Sequence, residues 1–215
     1  MSPTSGRLIT FEGVDGCGKT TQLQRLADWL PTSGLLRPGQ HIDCTREPGD
    51  SALGQRLREL LLTTDWGEEP LAPMAELLLY AADRAQHVAA RLRPGLAAGN
   101  VILCDRYTDS TLAYQGYGRG LDKAAITTLA QLATAGLEPH LTLWLDLPVA
   151  VCRERAAERG RQDRMEAAGD SFFERLHQGF RDLAAAHPER LVRIDADGDA
   201  EAVAARVQAA VRERW

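Results

Sequence analysis

Lysine is scarce in this chain, and long hydrophobic runs are absent. Of its 25 basic residues only Lys19 and Lys123 are lysines, so arginine supplies nearly all of the positive charge. No apolar stretch reaches the roughly 20 residues of a membrane-spanning helix, and the first residues lack the charged and then apolar layout of a secretory signal. We therefore expect a cytoplasmic protein with no membrane partner.

Paired cysteines and an excess of positive charge are missing as well. The four cysteines, at positions 17, 44, 104 and 152, lie far apart and form no C-x-x-C pair, which favours free thiols over disulfides or zinc ligands. The net charge is -5 at pH 7, whereas a protein that coats a nucleic-acid polymer normally needs a positive surface. The composition therefore argues against a nucleic-acid polymer as the partner.

The segment from Gly13 to Thr20 carries the most specific signal in the sequence. Its G-x-x-x-x-G-K-T spacing, after an apolar run and before an amphipathic stretch, is typical of a phosphate-binding loop. Backbone N–H groups and a helix N-terminus then bind one anion, and the Lys19 ammonium reaches the outer phosphates of ATP. Thr20 is expected to ligate Mg²⁺. The alternative is a glycine-rich turn with a chance lysine. The predicted ATP-binding residues are Gly13, Val14, Asp15, Gly16, Cys17, Gly18, Lys19, Thr20 and Thr21.

Short apolar runs alternate with helical patterns along the chain. The runs are continuous rather than alternating, as in parallel strands that helices cover on both faces. Their order predicts an α/β fold with a five-stranded parallel sheet flanked by helices, formed by one domain of residues 1–215. The predicted strands are 8–11, 41–45, 101–104, 141–145 and 191–194, and the predicted helices are 19–30, 51–62, 73–98, 123–135, 148–158, 171–186 and 200–213.

Two arginines follow neighbouring predicted strands. Arg46 comes after the second strand and Arg106 after the third, so both reach the sheet edge where ligands bind in such folds. Two guanidinium groups beside a phosphate loop favour a second anion site. The alternative is that both are ordinary loop residues, paired with Glu47 and Asp105. Asp105 itself ends an apolar strand as a magnesium-holding acid does, so we predict it as a metal ligand, direct or through water.

Five segments occur in a characteristic order. They are Phe11-Glu12-Gly13-Val14-Asp15-Gly16, Thr45-Arg46-Glu47-Pro48-Gly49, Leu79-Tyr80-Ala81-Ala82-Asp83-Arg84-Ala85-Gln86-His87, Asp105-Arg106-Tyr107 and Ala113-Tyr114-Gln115-Gly116. Together, over about residues 7–195, they resemble the thymidylate kinase family. The resemblance implies the three-layer fold of the P-loop nucleoside-monophosphate kinases. It further implies a magnesium-dependent transfer of the ATP γ-phosphoryl group to dTMP, giving dTDP and ADP, in a homodimer.

The resemblance also implies roles for individual residues. Asp15 binds the 3′-hydroxyl of dTMP, and Arg46 and Arg106 clamp its phosphate. Tyr80 stands where the family usually has a phenylalanine that stacks on thymine, and Tyr114 packs against the deoxyribose. The alternatives are that Tyr80 is a core residue and that Tyr114 and its neighbour are surface loop residues. The implied dTMP-binding residues are Asp15, Arg46, Glu47, Pro48, Tyr80, Arg84, Arg106, Ser110, Thr111, Tyr114 and Gln115.

Phosphoryl transfer also needs positive charge over the bridging oxygens. Part of the family has an arginine in the phosphate loop, but this chain has Gly16 there. The arginine-rich segment 152–169 resembles the lid of the bacterial type, and we rank Arg159 first, Arg155 second and Arg164 third as the catalytic arginine. The alternative is a solvated charged surface. The predicted catalytic residues are Lys19, Arg106, Arg155, Arg159 and Arg164.

Three other functions compete with this interpretation. A kinase for another pyrimidine monophosphate or a deoxynucleoside would share most of these motifs. A nucleotide-responsive switch module would need neither a second anion site nor an arginine-rich lid. An inactive structural relative is disfavoured because Lys19, Thr20, Arg46, Asp105 and Arg106 are all intact.

Overall fold

Five parallel strands form a single sheet in the computed structural model, which describes residues 6–63, 69–158 and 169–215. The strand order across the sheet is β2-β3-β1-β4-β5. The strands are β1 (Arg7–Glu12), β2 (Ile42–Arg46), β3 (Val101–Asp105), β4 (Leu141–Asp146) and β5 (Leu191–Asp195). The predicted α/β class and the predicted strands are confirmed, and each strand has one or both ends shifted by one residue.

Both faces of the central strands are buried. On β1, Leu8 belongs to one apolar cluster, whereas Ile9 and Phe11 belong to another. Ile102 and Leu103 on β3 divide between the same two clusters. Because successive side chains of a strand point to opposite faces, this division shows that packed side chains cover the sheet on each side. The continuous hydrophobic runs in the sequence follow from that double burial.

The helices occupy the connections between the strands. The two π-helical segments continue the helices before them, so residues 73–97 and 108–118 are each helical throughout. The helices are α1 (Lys19–Trp29), α2 (Ala52–Leu62), α3 (Pro73–His87), a π-helical segment (Val88–Leu92), α4 (Arg93–Ala97), α5 (Thr108–Thr111), a second π-helical segment (Leu112–Gly118), α6 (Lys123–Thr134), α7 (Val149–Glu158), α8 (Asp170–Ala186) and α9 (Ala200–Arg214).

Two features differ from the sequence-based expectation. The helical stretch over residues 108–118 was not predicted, because its Gly116 and Gly118 favour loops. The apolar stripe predicted along residues 73–98 is wrong in part. Leu78 and Ala82, assigned to its buried side, are exposed, whereas the charged Asp83 and Arg84 are buried. Tertiary hydrogen bonds to those charged groups offset the cost of their burial.

Charged side chains end every strand of the sheet. Glu12, Arg46, Asp105, Asp146 and Asp195 are the last residues of β1 to β5, and the register pairs Arg46 with Asp105 and Asp146 with Asp195. A carboxyl edge rich in charge is where ligands bind in a doubly wound sheet. The site described next lies at that edge.

Candidate active site

The phosphate loop runs from β1 into the first turn of α1. Gly13, Gly16 and Gly18 have φ angles of 137°, 90° and 97°, in the region that only glycine adopts without strain. Lys19 begins the helix, and its ammonium donates to the carbonyl oxygens of Gly13 and Val14 at 3.1 and 3.0 Å. The loop therefore has the conformation and the lysine position that were predicted for a phosphate-binding site.

Gly16 packs directly on helix α7. A Cβ atom built at this position would overlap the carbonyl oxygen of Cys152. No side chain fits there without a shift of backbone, so this loop has no room for an arginine at position 16. The positive charge for transfer must therefore come from other segments.

Thr20 and Asp105 form an oxygen pair beside the loop. The Thr20 hydroxyl donates to Asp105 Oδ2 at 2.6 Å, which joins the first turn of α1 to the end of β3. Mg²⁺ prefers oxygen ligands and typically takes one or two from the protein, with waters and phosphates completing its shell. The pair fits that requirement, and its role as the metal site stays a prediction.

Arg106 lies where the phosphate loop meets the segment after β3. Its φ of 73° is left-handed, and its side chain is 16% exposed. One guanidinium nitrogen donates to Gly13 O at 3.1 Å and to Ser110 Oγ at 2.9 Å, and the other to Asp15 Oδ1 at 2.5 Å and to the Tyr114 hydroxyl at 3.0 Å. These bonds fix both position and plane of the guanidinium.

The Asp15 carboxylate is held ionised by its neighbours. Burial alone would raise its pKa, but the charges of Arg106 and Lys19 and a hydrogen bond from the Tyr114 hydroxyl at 2.7 Å hold the pKa well below its usual range. The same charge on Asp15 supports the positive charge of Arg106, whose pKa is raised despite burial. The pair therefore stays charged throughout the physiological pH range.

A narrow cavity lies between α3 and the helical stretch over residues 108–118. Arg84, which is 3% exposed, crosses its floor: Nε donates to Glu47 Oε2 at 2.7 Å and Nη1 to Thr111 Oγ1 at 2.9 Å. The cavity lining is Asp15, Glu47, Pro48, Arg58, Leu62, Tyr80, Arg84, Arg106, Tyr107, Ser110, Thr111, Tyr114 and Gln115. Every residue predicted to bind dTMP except Arg46 lines this one cavity.

Tyr114 and Gln115 are buried, with exposed fractions of 6% and 1%. The alternative that they are surface loop residues is therefore wrong, because the unpredicted helical stretch carries them into the molecule. Gln115 donates from Nε2 to the buried carboxylate of Glu76 at 2.6 Å. The amide oxygen of Gln115 is the end that remains for a ligand.

A second layer of side chains behind the cavity was missed in the sequence. His87 Nδ1 lies 2.8 Å from Glu47 Oε1, and His87 Nε2 lies 2.7 Å from Thr45 Oγ1. Glu47 thus bridges His87 and Arg84. Both of its carboxylate oxygens are engaged by these two side chains, so its role here is to hold Arg84. Burial raises the pKa of the adjacent Asp83 to about 6. No signal in the sequence indicated this layer, because the partners of these side chains are known only from the fold.

A larger cleft of about 950 Å³ opens on the phosphate loop. Arg46, which is exposed, and Arg155 line this cleft, as does Arg106, which also lines the narrow cavity. Another wall of the cleft is the connection from β5 to α9 together with the first turn of α9, a part of the site that the sequence did not indicate. That wall consists of Ala196, Gly198, Asp199, Ala200 and Val203.

The predicted lid is described only in part. Arg155 stands on α7 at the cleft, whereas Arg153 pairs with Asp170 and lies over the Phe173 ring, 5.4 Å from its centroid. Arg153 is therefore held by contacts away from the cleft. Arg159 and Arg164 lie outside the described residues, so their roles stay predictions.

Because one guanidinium lines two cavities, and one of these opens on a phosphate loop, the site can hold a phosphorylated donor against an anionic acceptor. That arrangement defines a phosphotransferase of the phosphate-loop class, in which positioning and charge do most of the catalytic work.

Comparisons with known proteins give the particular family. The family model described as thymidylate kinase matches residues 11–207. The thymidylate kinase of Synechococcus sp. (strain RCC307) is 56% identical, covering 97% of this chain and 96% of the relative. That of Cyanothece sp. (strain PCC 7425 / ATCC 29141) is 52% identical, with coverages of 97% and 94%. The chain belongs to the thymidylate kinase family, and it is a kinase.

A solved structure agrees with the assignment. The crystal structure of thymidylate kinase from Ehrlichia chaffeensis superposes with a TM-score of 0.77 at 31% identity, covering 97% of this chain and 99% of the other. The resemblance stated from five short segments is thereby confirmed. Within the described residues, no helix has the length and apolar character needed to cross a membrane.

The contact at Gly16 generates a stability prediction. Gly16→Ala and Gly18→Ala each place a side chain in a left-handed conformation, which costs about 1–2 kcal/mol. Only Gly16→Ala adds the overlap with Cys152, since a Cβ at Gly18 has no atom within 4 Å. Urea unfolding without nucleotide should show a loss larger by about 1–3 kcal/mol for Gly16→Ala. Equal losses in the two variants would contradict the packing described.

Proposed function

We propose that this protein transfers the γ-phosphoryl group of ATP to dTMP, giving dTDP and ADP. The observation that carries the proposal is the position of Arg106, which lines both the donor cleft and the acceptor cavity. Membership in the thymidylate kinase family supports the identity of the acceptor. Donor and acceptor phosphates would meet at this guanidinium.

In this proposal the narrow cavity binds dTMP. Tyr80 stacks on the thymine, and Arg84, fixed by Glu47 and Thr111, donates to the base. Tyr114 covers the deoxyribose, while Asp15 accepts a hydrogen bond from its 3′-hydroxyl. Because Arg84, Tyr114 and Asp15 are already held by hydrogen bonds to neighbours, little ordering of these three side chains would be needed when the acceptor binds.

Charge neutralisation falls to groups on either side of the transferred phosphoryl. The loop amides and Lys19 bind the ATP phosphates, and Arg106 with Arg46 binds the acceptor phosphate. Thr20 and Asp105 would hold Mg²⁺, which supplies positive charge to the donor phosphates when it is bound. The acceptor phosphate is itself an anionic nucleophile, so the mechanism needs no side-chain base.

The remaining positive charge would come from the lid. Arg155 lines the donor cleft, and Gly16 cannot be replaced by an arginine because Cys152 occupies the space. We assign the main catalytic charge to Arg159, with Arg155 and Arg164 in support. Their placement over the bridging oxygens would also exclude water and so prevent unproductive hydrolysis of ATP.

A coupled assay of ADP release tests the proposed reaction. With ATP and Mg²⁺, dTMP should give a kcat/KM at least about a hundredfold above those of dCMP and thymidine, because a site with fixed polar groups rejects poorly matched ligands. For dUMP, which differs from dTMP only by the C5 methyl group, we expect a smaller difference of about tenfold or more. Thymidine lacks the phosphate that Arg46 and Arg106 would bind, so it serves as the matched control. Equal or better turnover of another acceptor would reject dTMP as the substrate.

Single substitutions in the lid test the source of the catalytic charge. Arg159→Ala should lower kcat by about a hundredfold or more with little change in the KM of dTMP, because the lost charge acts in the transition state. Arg153→Ala is the matched control, since Arg153 pairs with Asp170 instead of lining the cleft. Unchanged kcat values for alanine variants of Arg155, Arg159 and Arg164 would reject the lid as catalytic.

We further infer that the protein is a homodimer. Helix α3 and the π-helical segment after it carry an exposed apolar stripe, and the neighbouring helix α2 adds Leu53 and Leu60, which are 47% and 45% exposed. The stripe consists of Met74, Leu78, Ala82, Ala85 and Ala89, spaced three or four residues apart. A contiguous apolar helix face of this kind marks a protein interface, and a second copy of the chain is the partner that the family resemblance implies.

Light scattering after size exclusion tests the dimer. Ala82→Glu places a charge in the middle of the stripe and should shift the protein to the monomer, because a charge buried without a partner is costly. Ala205→Glu makes the same change at an exposed alanine of α9 and should leave the dimer intact. A monomeric wild-type protein, or a dimeric Ala82→Glu variant, would contradict the inference.

A further inference from the structure

Glu12, the last residue of β1, has no exposed surface and lies directly beneath the proposed phosphate clamp. Its Oε1 accepts a hydrogen bond from the backbone N–H of Tyr107 at 2.8 Å, and its Oε2 accepts one from the Ser110 hydroxyl at 2.5 Å. Neither the proposed mechanism nor the predicted site residues use this carboxylate. A buried acid with both oxygens engaged requires a physical reason for its presence.

The Ser110 hydroxyl joins Glu12 to Arg106. Ser110 Oγ accepts from Arg106 Nη1 at 2.9 Å while it donates its only proton to Glu12. Because Ser110 donates its proton to Glu12, the lone pairs of Ser110 Oγ can accept from the Arg106 guanidinium. The three residues therefore form one chain of hydrogen bonds, from Arg106 through Ser110 to Glu12.

We propose that Glu12, acting through the Ser110 hydroxyl, is a positioning residue that holds the Arg106 guanidinium in the orientation needed to bind the acceptor phosphate. This inference rests on the proposed role of Arg106 as the phosphate clamp. The negative charge of Glu12 keeps Ser110 as a hydrogen-bond acceptor toward Arg106. A protonated Glu12 can donate to Ser110 Oγ instead. The serine proton then no longer points at Glu12, and it can turn toward the guanidinium and weaken the hydrogen bond from Arg106.

The surroundings of Glu12 allow that change within an accessible pH range. Burial raises its pKa from 4.5 to about 7, and the negative charge of Asp109 on α5 contributes in the same direction. Hydrogen bonding by Ser110 and the charge of Arg106 oppose the rise. Two further charged groups face this pocket from other elements: Arg84 of α3, and Arg190, which donates to Asp109 Oδ2 at 2.6 Å.

The sign of the pH dependence follows from these groups. Glu12 is ionised above about pH 7, so the orienting chain is intact there, and the chain is lost as the pH falls below that value. Binding of the acceptor should therefore weaken at lower pH, and part of this loss of affinity should come from the protonation of Glu12. The phosphate of dTMP also titrates near pH 6, so the pH dependence of the wild-type kcat/KM does not isolate the effect of Glu12. The ratio of the wild-type kcat/KM to that of a variant does, because both proteins use the same substrate.

The test compares wild type with Glu12→Gln, Ser110→Ala and the double variant between pH 6 and pH 8.5. At pH 8, each single variant should raise the KM of dTMP about tenfold, the loss expected for a charge-assisted hydrogen bond, while the KM of ATP stays unchanged. The ratio of wild-type to variant kcat/KM for dTMP should fall toward one near pH 6. Glu12→Gln should add nothing in the Ser110→Ala background.

Thr10→Val is the matched control. Thr10 is a buried residue of the same strand, and its hydroxyl lies 2.8 Å from that of Thr142, without contact to Arg106. It should leave both KM values and their pH dependence unchanged. Thermal melting of every variant separates loss of fold from loss of orientation, and Ser110→Ala, which removes one oxygen atom, carries the test if Glu12→Gln does not fold.

Two results would overturn the inference: a ratio that is the same at every pH, or a full effect of Glu12→Gln in the Ser110→Ala background. Arg106→Lys, measured in parallel, separates this inference from the proposed function. If Arg106→Lys leaves the KM of dTMP unchanged, the clamp itself is wrong. If Arg106→Lys raises that KM while the Glu12 and Ser110 variants do not, only the positioning role of Glu12 is wrong.

Discussion

The ion pair between Arg106 and Asp15 is the interaction on which the site depends. A largely buried guanidinium must find acceptors for its N–H groups, and here the acceptors are the phosphate loop, through Gly13 and Asp15, and the helical stretch after β3, through Ser110 and Tyr114. One side chain therefore ties two loops from neighbouring strands together. The left-handed backbone at Arg106 is the local strain that this arrangement requires.

This pairing also explains how the site can hold charge before any ligand binds. Asp15 pairs with Arg106 and lies 3.8 Å from Lys19, so one carboxylate holds both cations in place. Phosphates entering from both sides would meet preorganised cations instead of mobile ones. Preorganisation of this kind lowers the barrier because the protein does not have to rearrange as charge moves.

Much of the fold and part of the site could be predicted from the sequence. The phosphate loop and the strands could be recognised from local patterns. The glycine spacing permits the loop conformation, and the continuous apolar runs reflect strands that are buried on both faces. Tyr114 and Gln115 could be placed only through the family resemblance, because the glycines around them hide a helix. Glu12 and His87 gave no usable signal, since a single charged residue shows its role only when its tertiary partners are known.

Helix α3 shows why periodicity alone was insufficient. Its small apolar residues face outward, while Asp83, Arg84 and His87 face inward to the hydrogen bonds of Glu47 and Gly49. A helix that packs against a polar cavity has no purely apolar inner side, so the usual assignment of the stripe to the core fails. The lid arginines beyond position 158 and the cytoplasmic location stay predictions.

A crystal structure with dTMP and a non-hydrolysable ATP analogue would show whether Arg106 serves both nucleotides. We expect the Arg106 guanidinium to contact an oxygen of the acceptor phosphate while Lys19 contacts the donor phosphates. An acceptor phosphate bound away from Arg106, with the guanidinium facing elsewhere, would contradict this expectation.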